Sequence, residues 1–313
     1  MVVQPLAHMD PSRLKGACVL ITGGASGLGK SAAVFFAKSG ARVTIVDKQD
    51  ASSLCAELRQ QGHQAMFIEC DVTDWDSQLR AFHAALHFSP TRTLDIVAVF
   101  AGIDGFTDVF EHISQSDLSV DGPPPAHPPA APLEVNLKGA YYTSVLALHY
   151  FRLKIPDDCP GSTIPVSPLS RSLTIVSSLS GYIDEDHNPV YTASKFGTRG
   201  LFRALRAKAY SQFGVRVNAL APWAMKTPMT EGGLEAMAQM GIVPGKGITL
   251  VEHDVLTQAL VTIALDESIR GCSFAIVPEG AIDLEDDING NYAGPKLVEL
   301  LALRKAAGDY ISS

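Results

Sequence analysis

Tyr191 and Lys195 stand at i and i+4 in the stretch VYTASKFGTRGL, residues 190–201. On a helix that spacing puts both side chains on one face, about one turn apart. A phenol beside an ammonium can give and take a proton, because the cation favours the phenolate and lowers the tyrosine pKa from about 10. Alone, such a pair is also what an ordinary surface helix carries. Here Ser178 lies 13 residues before Tyr191, at the end of a strand-like run. Asn136 opens a long amphipathic stretch; a buried helical Asn is usually a structural hydrogen-bonder, but near a Tyr/Lys site it can hold a water in a proton relay.

These groups need a scaffold, and the chain in order supplies one. Residues 17–22, ACVLIT, form a short apolar run that fits a buried parallel strand. It enters a T-G-x-x-x-G-x-G turn, Thr22 to Gly29, and then a helical pattern. Strand, glycine turn and helix are the context of a dinucleotide phosphate site, although a plain tight turn has the same composition. A second strand, 41–47, ends in Asp47, which lies 18 residues past Gly29. A carboxylate there can accept from the ribose hydroxyls and repel a 2′-phosphate; it is otherwise a strand-end acid or a helix cap. No Arg or Lys precedes Gly29 in the turn, so the reading is NAD, with Lys48 the dissenting neighbour. Asp71 and Val72 follow strand three at the same edge, suited to the adenine or to a cap or turn. Strand four, 94–100, closes on Ala101 and Gly102.

Two stretches rich in proline, 121–132 and 156–168, interrupt the alternation and read as exposed insertions. Between them lies a helix, 133–152. Strand five, 172–177, delivers Ser178, and a helix from about Pro189 carries Tyr191 and Lys195. Gly197 and Gly200 thin its surface for helix packing. Strand six is 215–222, then a methionine-rich segment, 223–250, reads as a lid over an apolar substrate or as core packing on a short helix. A helix, 253–265, and a last strand, 273–277, complete the pattern. The expectation is one doubly wound parallel sheet of about seven strands with helices on both faces, a single-domain Rossmann fold. It spans 15–282, after a leader, 1–14, and before a helical tail, 283–313.

Composition excludes several classes. The chain has 313 residues, 46% of them hydrophobic, and a net charge of −8, which argues against nucleic acid or an anionic membrane as partner. Five scattered cysteines (Cys18, Cys55, Cys70, Cys159, Cys272) form no CxxC pair, so thiols in a reducing compartment and no metal site are expected. No apolar run reaches the length of a membrane span, and a cytoplasmic enzyme is the default.

Taken together, TGGASGLG at 22–29, VNLKG around Asn136, IVSSLSG around Ser178 and YTASK at 191–195 resemble the short-chain dehydrogenase/reductase family, from about Lys15 to Gly280. Within it the likeness is to the 15-hydroxyprostaglandin-dehydrogenase-like group and to fungal dehydrogenases of secondary metabolism. The resemblance implies Tyr191 as general acid/base, Lys195 as the cation that activates it and binds the nicotinamide ribose, Ser178 as donor to the substrate oxygen, and Asn136 as holder of a relay water. It implies dinucleotide contacts at Thr22, Gly23, Ser26, Gly27, Leu28, Gly29, Asp47, Asp71, Val72, Ala101, Gly102, Pro222 and Thr227, besides Tyr191 and Lys195. Two positions depart from the family pattern: Phe100 replaces an asparagine before Ala101-Gly102, and Trp223 replaces a glycine after Pro222. Trp223, Met225, Met229, Met237 and Met240, with Phe106, suggest an apolar or aromatic alcohol or ketone, and His187 is a candidate substrate contact or a surface residue. The expected activity is NAD-dependent hydride transfer, in the direction of secondary-alcohol oxidation. NADP-dependent ketone reduction, a cyclisation, isomerisation or epimerisation on the same fold, and an NAD-sensing protein without turnover are the rivals. A homodimer or homotetramer is implied through helices 133–152 and 191–213.

Overall fold

The computed structural model describes residues 9–105, 109–114, 119–155, 169–183 and 188–286. Seven strands lie parallel in one sheet: β1 (Cys18–Thr22), β2 (Arg42–Asp47), β3 (Gln64–Glu69), β4 (Ile96–Val99), β5 (Ser172–Val176), β6 (Arg216–Pro222) and β9 (Ser273–Val277). An eighth, β10 (Gly280–Asp283), closes the edge antiparallel to β9. The order is β10-β9-β6-β5-β4-β1-β2-β3. Seven strands were expected; β10 escaped because a four-residue hairpin arm, GAID, carries too short an alternation to read. A separate two-stranded ladder, β7 (Val243–Pro244) with β8 (Gly247–Ile248), lies in the methionine-rich segment.

Alternation along the strands divides the core. On one face Val19 and Ile21 of β1 pack with α1 (Gly27–Lys38), α2 (Ser52–Gln60) and α8 (His253–Leu265). On the other, Cys18 and Leu20 pack with α3 (Trp75–Phe88), α5 (Ala140–Tyr150) and α6 (Pro189–Phe213). Two short helices, α4 (Val109–Ser114) and α7 (Glu231–Gln239), lie outside these layers and bury no residue of their own. The helix expected over 133–152 is in two parts, a π-helical stretch Leu133–Gly139 followed by α5. π-Helical turns recur at functional sites, and this one carries Asn136.

Several long contacts fix the site-bearing elements. α6 is capped by Asn188, whose Oδ1 accepts from Tyr191 N at 3.3 Å, and starts with Pro189; it ends at Gly214 in the left-handed region. Gly197 on α6 meets Leu137, as close packing requires, whereas Gly200 faces open space within this chain. Arg199 reaches from α6 to Asp286, with Nη2 at 2.7 Å from Oδ1, and both side chains are buried. Arg216 is fully buried at the start of β6. Its guanidinium donates to the carbonyls of Ile263, Ala264, Asp266 and Ile269, where α8 ends. Those carbonyls have no partner within the helix, and the cation also meets the negative end of the helix dipole. Among the described residues no helix is long and apolar enough to cross a membrane.

Candidate active site

β1 and β4 are neighbours while β2 and β5 lie outside them, so the chain reverses its winding between β1 and β4. In such sheets the crevice beyond the carboxyl ends of the strands is where ligands bind. A cavity of about 990 Å³ opens there, and it is lined by Gly23, Asp47, Asp71, Gly102, Ser178, Tyr191, Lys195 and Trp223 among others.

At one end lies the glycine turn. Gly23 has φ +71, and a Cβ there would stand 2.6 Å from Ala101 N. A Cβ on Gly29 would stand 2.1 Å from the carbonyl oxygen of Gly23. Gly23 therefore sits hard against the chain leaving β4, and Gly29 closes the turn on itself. Thr22 is buried, and its Oγ1 accepts from Ala101 N at 3.4 Å. The N-cap of α1, Ser26, makes no side-chain cap bond. The start of α1 thus lacks a side-chain cap where Ser26, Gly27 and Leu28 line the cavity, which suits a phosphate.

Asp47 closes β2. Its Oδ2 accepts from Ala25 N and its Oδ1 from Gln49 N, each at 2.9 Å. The carboxylate thus braces the glycine turn as well as facing the cavity. Lys48 pairs with Asp71 at 2.9 Å. The Lys48 ammonium, helped by the Thr73 hydroxyl and amide, holds the Asp71 carboxyl down at about 2. Val72 is buried against Gly139.

At the other end lie the proton-handling groups. Lys195 is 6% exposed, and its Nζ lies 5.4 Å from the centre of the Tyr191 ring. Nζ also donates to Val176 O at 3.4 Å. Burial pulls the Lys195 ammonium down to about 8. Tyr191 is half-buried in the first turn of α6. Ser178 follows β5 and caps the 3₁₀ turn Leu179–Gly181, its Oγ accepting from Ser180 N at 3.2 Å. The neighbouring Ser177 donates to Lys195 O at 3.0 Å and contacts Thr198 Oγ1, which pins the end of β5 to α6.

Of the two roles open to Asn136, the structure shows a hydrogen-bonding one. Its side chain is buried, accepts from Ile103 N at 2.8 Å and donates to Ile103 O at 2.9 Å and to Ser194 Oγ at 2.9 Å. A second asparagine, unread in the sequence, holds the next residue along. Asn188 Nδ2 donates to Asp104 Oδ1 at 2.7 Å while its Oδ1 caps α6. An Asn-Pro pair before a helix is a cap signal that could have found it. Phe100 makes up for the missing family asparagine by packing against the core, while its backbone N–H donates to Thr22 O.

The substrate side is apolar. Trp223 and Met229, 41% and 44% exposed, line the cavity with Met237. Leu179, Ile183, Leu234 and Ile248 also line it; none was picked out from the sequence, because long-range packing brings them there. Met225 is only 2% exposed, packs with the core and also lines the cavity, whereas Met240 is 70% exposed and lies off the cavity wall. One methionine of the segment is thus core, but it lies off any helix, and the short helix α7 buries none of its residues. Pro222 and Thr227 line the cavity too. His187, Phe106, Cys159, the insertion 156–168 and residues 287–313 lie outside the described residues. Among the described residues no cluster of His, Cys, Asp and Glu could hold a metal.

A family model described as short chain dehydrogenase matches residues 17–237. The chain is 40% identical over 306 residues to the 5'-hydroxyaverantin dehydrogenase of Dothistroma septosporum, covering 96% of this chain and 97% of that protein. It is 34% identical over 218 residues to the NADP-dependent dehydrogenase clz5 of Cochliobolus lunatus, 69% of this chain and 73% of that one. In fold it matches the crystal structure of gox2181 with a TM-score of 0.63 at 23% identity, over 85% of this chain and 95% of the other.

Proposed function

The chain belongs to the short-chain dehydrogenase/reductase family of nicotinamide-dependent oxidoreductases, and from that premise we propose that it oxidises a secondary alcohol on an apolar or aromatic small molecule, with NAD as acceptor. The observation that carries this reading is the Tyr191 ring beside the buried Lys195 ammonium, in one cavity with the Ser178 hydroxyl and Asp47.

The dinucleotide suits the residues present: uncapped amides at the start of α1 for its phosphates, Asp47 for its adenosine ribose, and Lys195 for the nicotinamide ribose. When bound, the nicotinamide ring supplies the hydride acceptor. Tyr191, as phenolate, takes the proton from the substrate hydroxyl while the carbon–hydrogen bond breaks. The Lys195 cation holds that phenolate. Ser178 donates to the substrate oxygen as the carbonyl forms. Asn136 and Asn188 tie residues 103–104 to α6 and so fix the floor of the site. Trp223, Met229 and Leu234 form a wall suited to a hydrophobic skeleton. The name of the 40%-identical relative supports an alcohol of secondary metabolism.

NADP is the second reading, favoured by the name of the clz5 relative. Against it speak the Asp47 carboxylate in the cavity wall, which would repel a 2′-phosphate, and the pairing of Lys48 with Asp71. Fluorescence titration with NADH and NADPH separates the two. Wild type is expected to prefer NADH by at least tenfold. Asp47→Asn keeps an acceptor for Ala25 N and removes the charge, so it should lose the preference without losing binding. Equal or tighter NADPH binding by wild type would overturn the NAD assignment and turn the search to ketone reduction. Copies of this chain are expected to pair through α5 and α6, where Tyr141, Phe196 and Tyr210 are exposed; light scattering should give two or four chain masses.

A further inference from the structure

His253, the first residue of α8, is half-buried and is not part of the cavity wall. Its Nδ1 lies 2.7 Å from Ser31 Oγ on α1. Its Nε2 lies 2.8 Å from the carbonyl oxygen of Lys226. A carbonyl only accepts, so Nε2 carries a proton and donates to Lys226 O, while Nδ1 shares a hydrogen bond with Ser31 Oγ. The imidazole thus joins the helix behind the glycine turn to the segment that leads from Trp223 to Thr230.

That segment faces the cavity from the far side of the turn. A Cβ built on Gly27 would lie 3.4 Å from Thr227 Cβ, so Thr227 stands directly against the turn. Thr227 is itself locked, its N–H donating to Thr230 Oγ1 at 2.9 Å while Thr230 Oγ1 donates to Met225 O at 2.7 Å. Upstream of His253, Val251 N donates to Ala224 O and a β-bridge joins Val251 to Met225. The chain before α8 therefore already runs beside the segment at 224–225, and His253 extends that attachment to Lys226, one residue from Thr227.

We propose that His253 is a positioning residue. It fixes the 225–230 segment to α1, and thereby sets the gap between Thr227 and the glycine turn. That the gap takes the nicotinamide end of a dinucleotide rests on the reading given above.

Two substitutions divide the ring into its halves. Gln places an amide nitrogen near the position of Nε2 and can still donate to Lys226 O; Asn places one near Nδ1 and reaches only Ser31. Amide hydrogen exchange of Thr227 and Thr230 in the protein without dinucleotide reads the attachment directly. NADH titration and steady-state kinetics read its consequence. His253→Asn should speed exchange at both amides, and weaken NADH binding by roughly three- to tenfold, the worth of one hydrogen bond, with KM for the dinucleotide changing more than kcat. His253→Gln should stay within about twofold of wild type. Unchanged exchange in both variants overturns the proposal. So does an equal loss in both accompanied by an equal fall in Tm, which is the mark of a general packing defect. If exchange follows the expected pattern but wild type binds neither NADH nor NADPH, the attachment is upheld and the nicotinamide reading of the site fails.

Discussion

At the scale of single residues, the site rests on a cation held out of water. Lys195 titrates near 8 in the folded protein, against 10.5 as its ordinary value. Between those values the unfolded chain binds a proton that the folded protein does not, so stability rises with pH across the window. Wild type should therefore gain on Lys195→Met between pH 8 and 10.5, by about 3 kcal/mol at most. Urea unfolding of both proteins at several pH values measures this; a flat difference would put the ammonium in contact with water or an anion. Tyr191→Phe keeps the ring over Lys195 and removes the proton carrier. It should cost about 10²- to 10⁴-fold in kcat, while NADH affinity stays within about threefold. An equal loss of binding would mean that the phenol mainly shapes the pocket. Both residues were legible from four positions of sequence, because a helix converts that spacing into adjacency. The second asparagine was legible only as a helix cap, since its bond to Asp104 crosses 84 residues.

At the scale of elements, the turn after β1 shows how little room the design leaves. Gly29→Ala would drive a Cβ to 2.1 Å from a backbone oxygen that no side-chain rotation can move. A loss of about 3 kcal/mol is expected, together with loss of NADH binding. Gly232→Ala on α7 meets nothing within 4 Å and should stay within about 1 kcal/mol of wild type. Thermal unfolding of the pair separates tight packing from the general effect of losing a glycine. The order of strands and helices was legible because each buried strand is a short apolar run and each helix keeps its period. The π-helical start of the helix at Leu133 was not, because its side-chain pattern differs little from that of an α-helix; its cause is tertiary, with Gly139 against Val72 and Asn136 held by Ile103. Nor could β10 be read, since four residues paired across a tight hairpin carry almost no periodic signal.

At the scale of the whole molecule, the described chain is tied together by buried charges far apart in sequence. Arg199 and Asp286 are both buried and paired, and Arg199 also donates to Gly181 O in the turn that Ser178 caps. Burial pushes the Tyr182 phenol, beside the same pair, above its usual range. Removing one partner leaves the other charge uncompensated, so Asp286→Ala should destabilise by about 3–5 kcal/mol. Replacing both, as Arg199→Met with Asp286→Leu, should restore most of that. Failure of the double variant to recover would mean that the pair also holds geometry that an apolar contact cannot.

The guanidinium of Arg216 has a bearing on how the protein is made. Its acceptors on Ile263 and Ile269 lie 47 and 53 residues further along. A ribosome adding roughly 5–20 residues per second therefore leaves this cation without its cage for roughly 2–11 s. During that interval β6 has a charge at its root and no helix end to receive it. The nascent sheet cannot settle on that side until the chain as far as Ile269 has emerged.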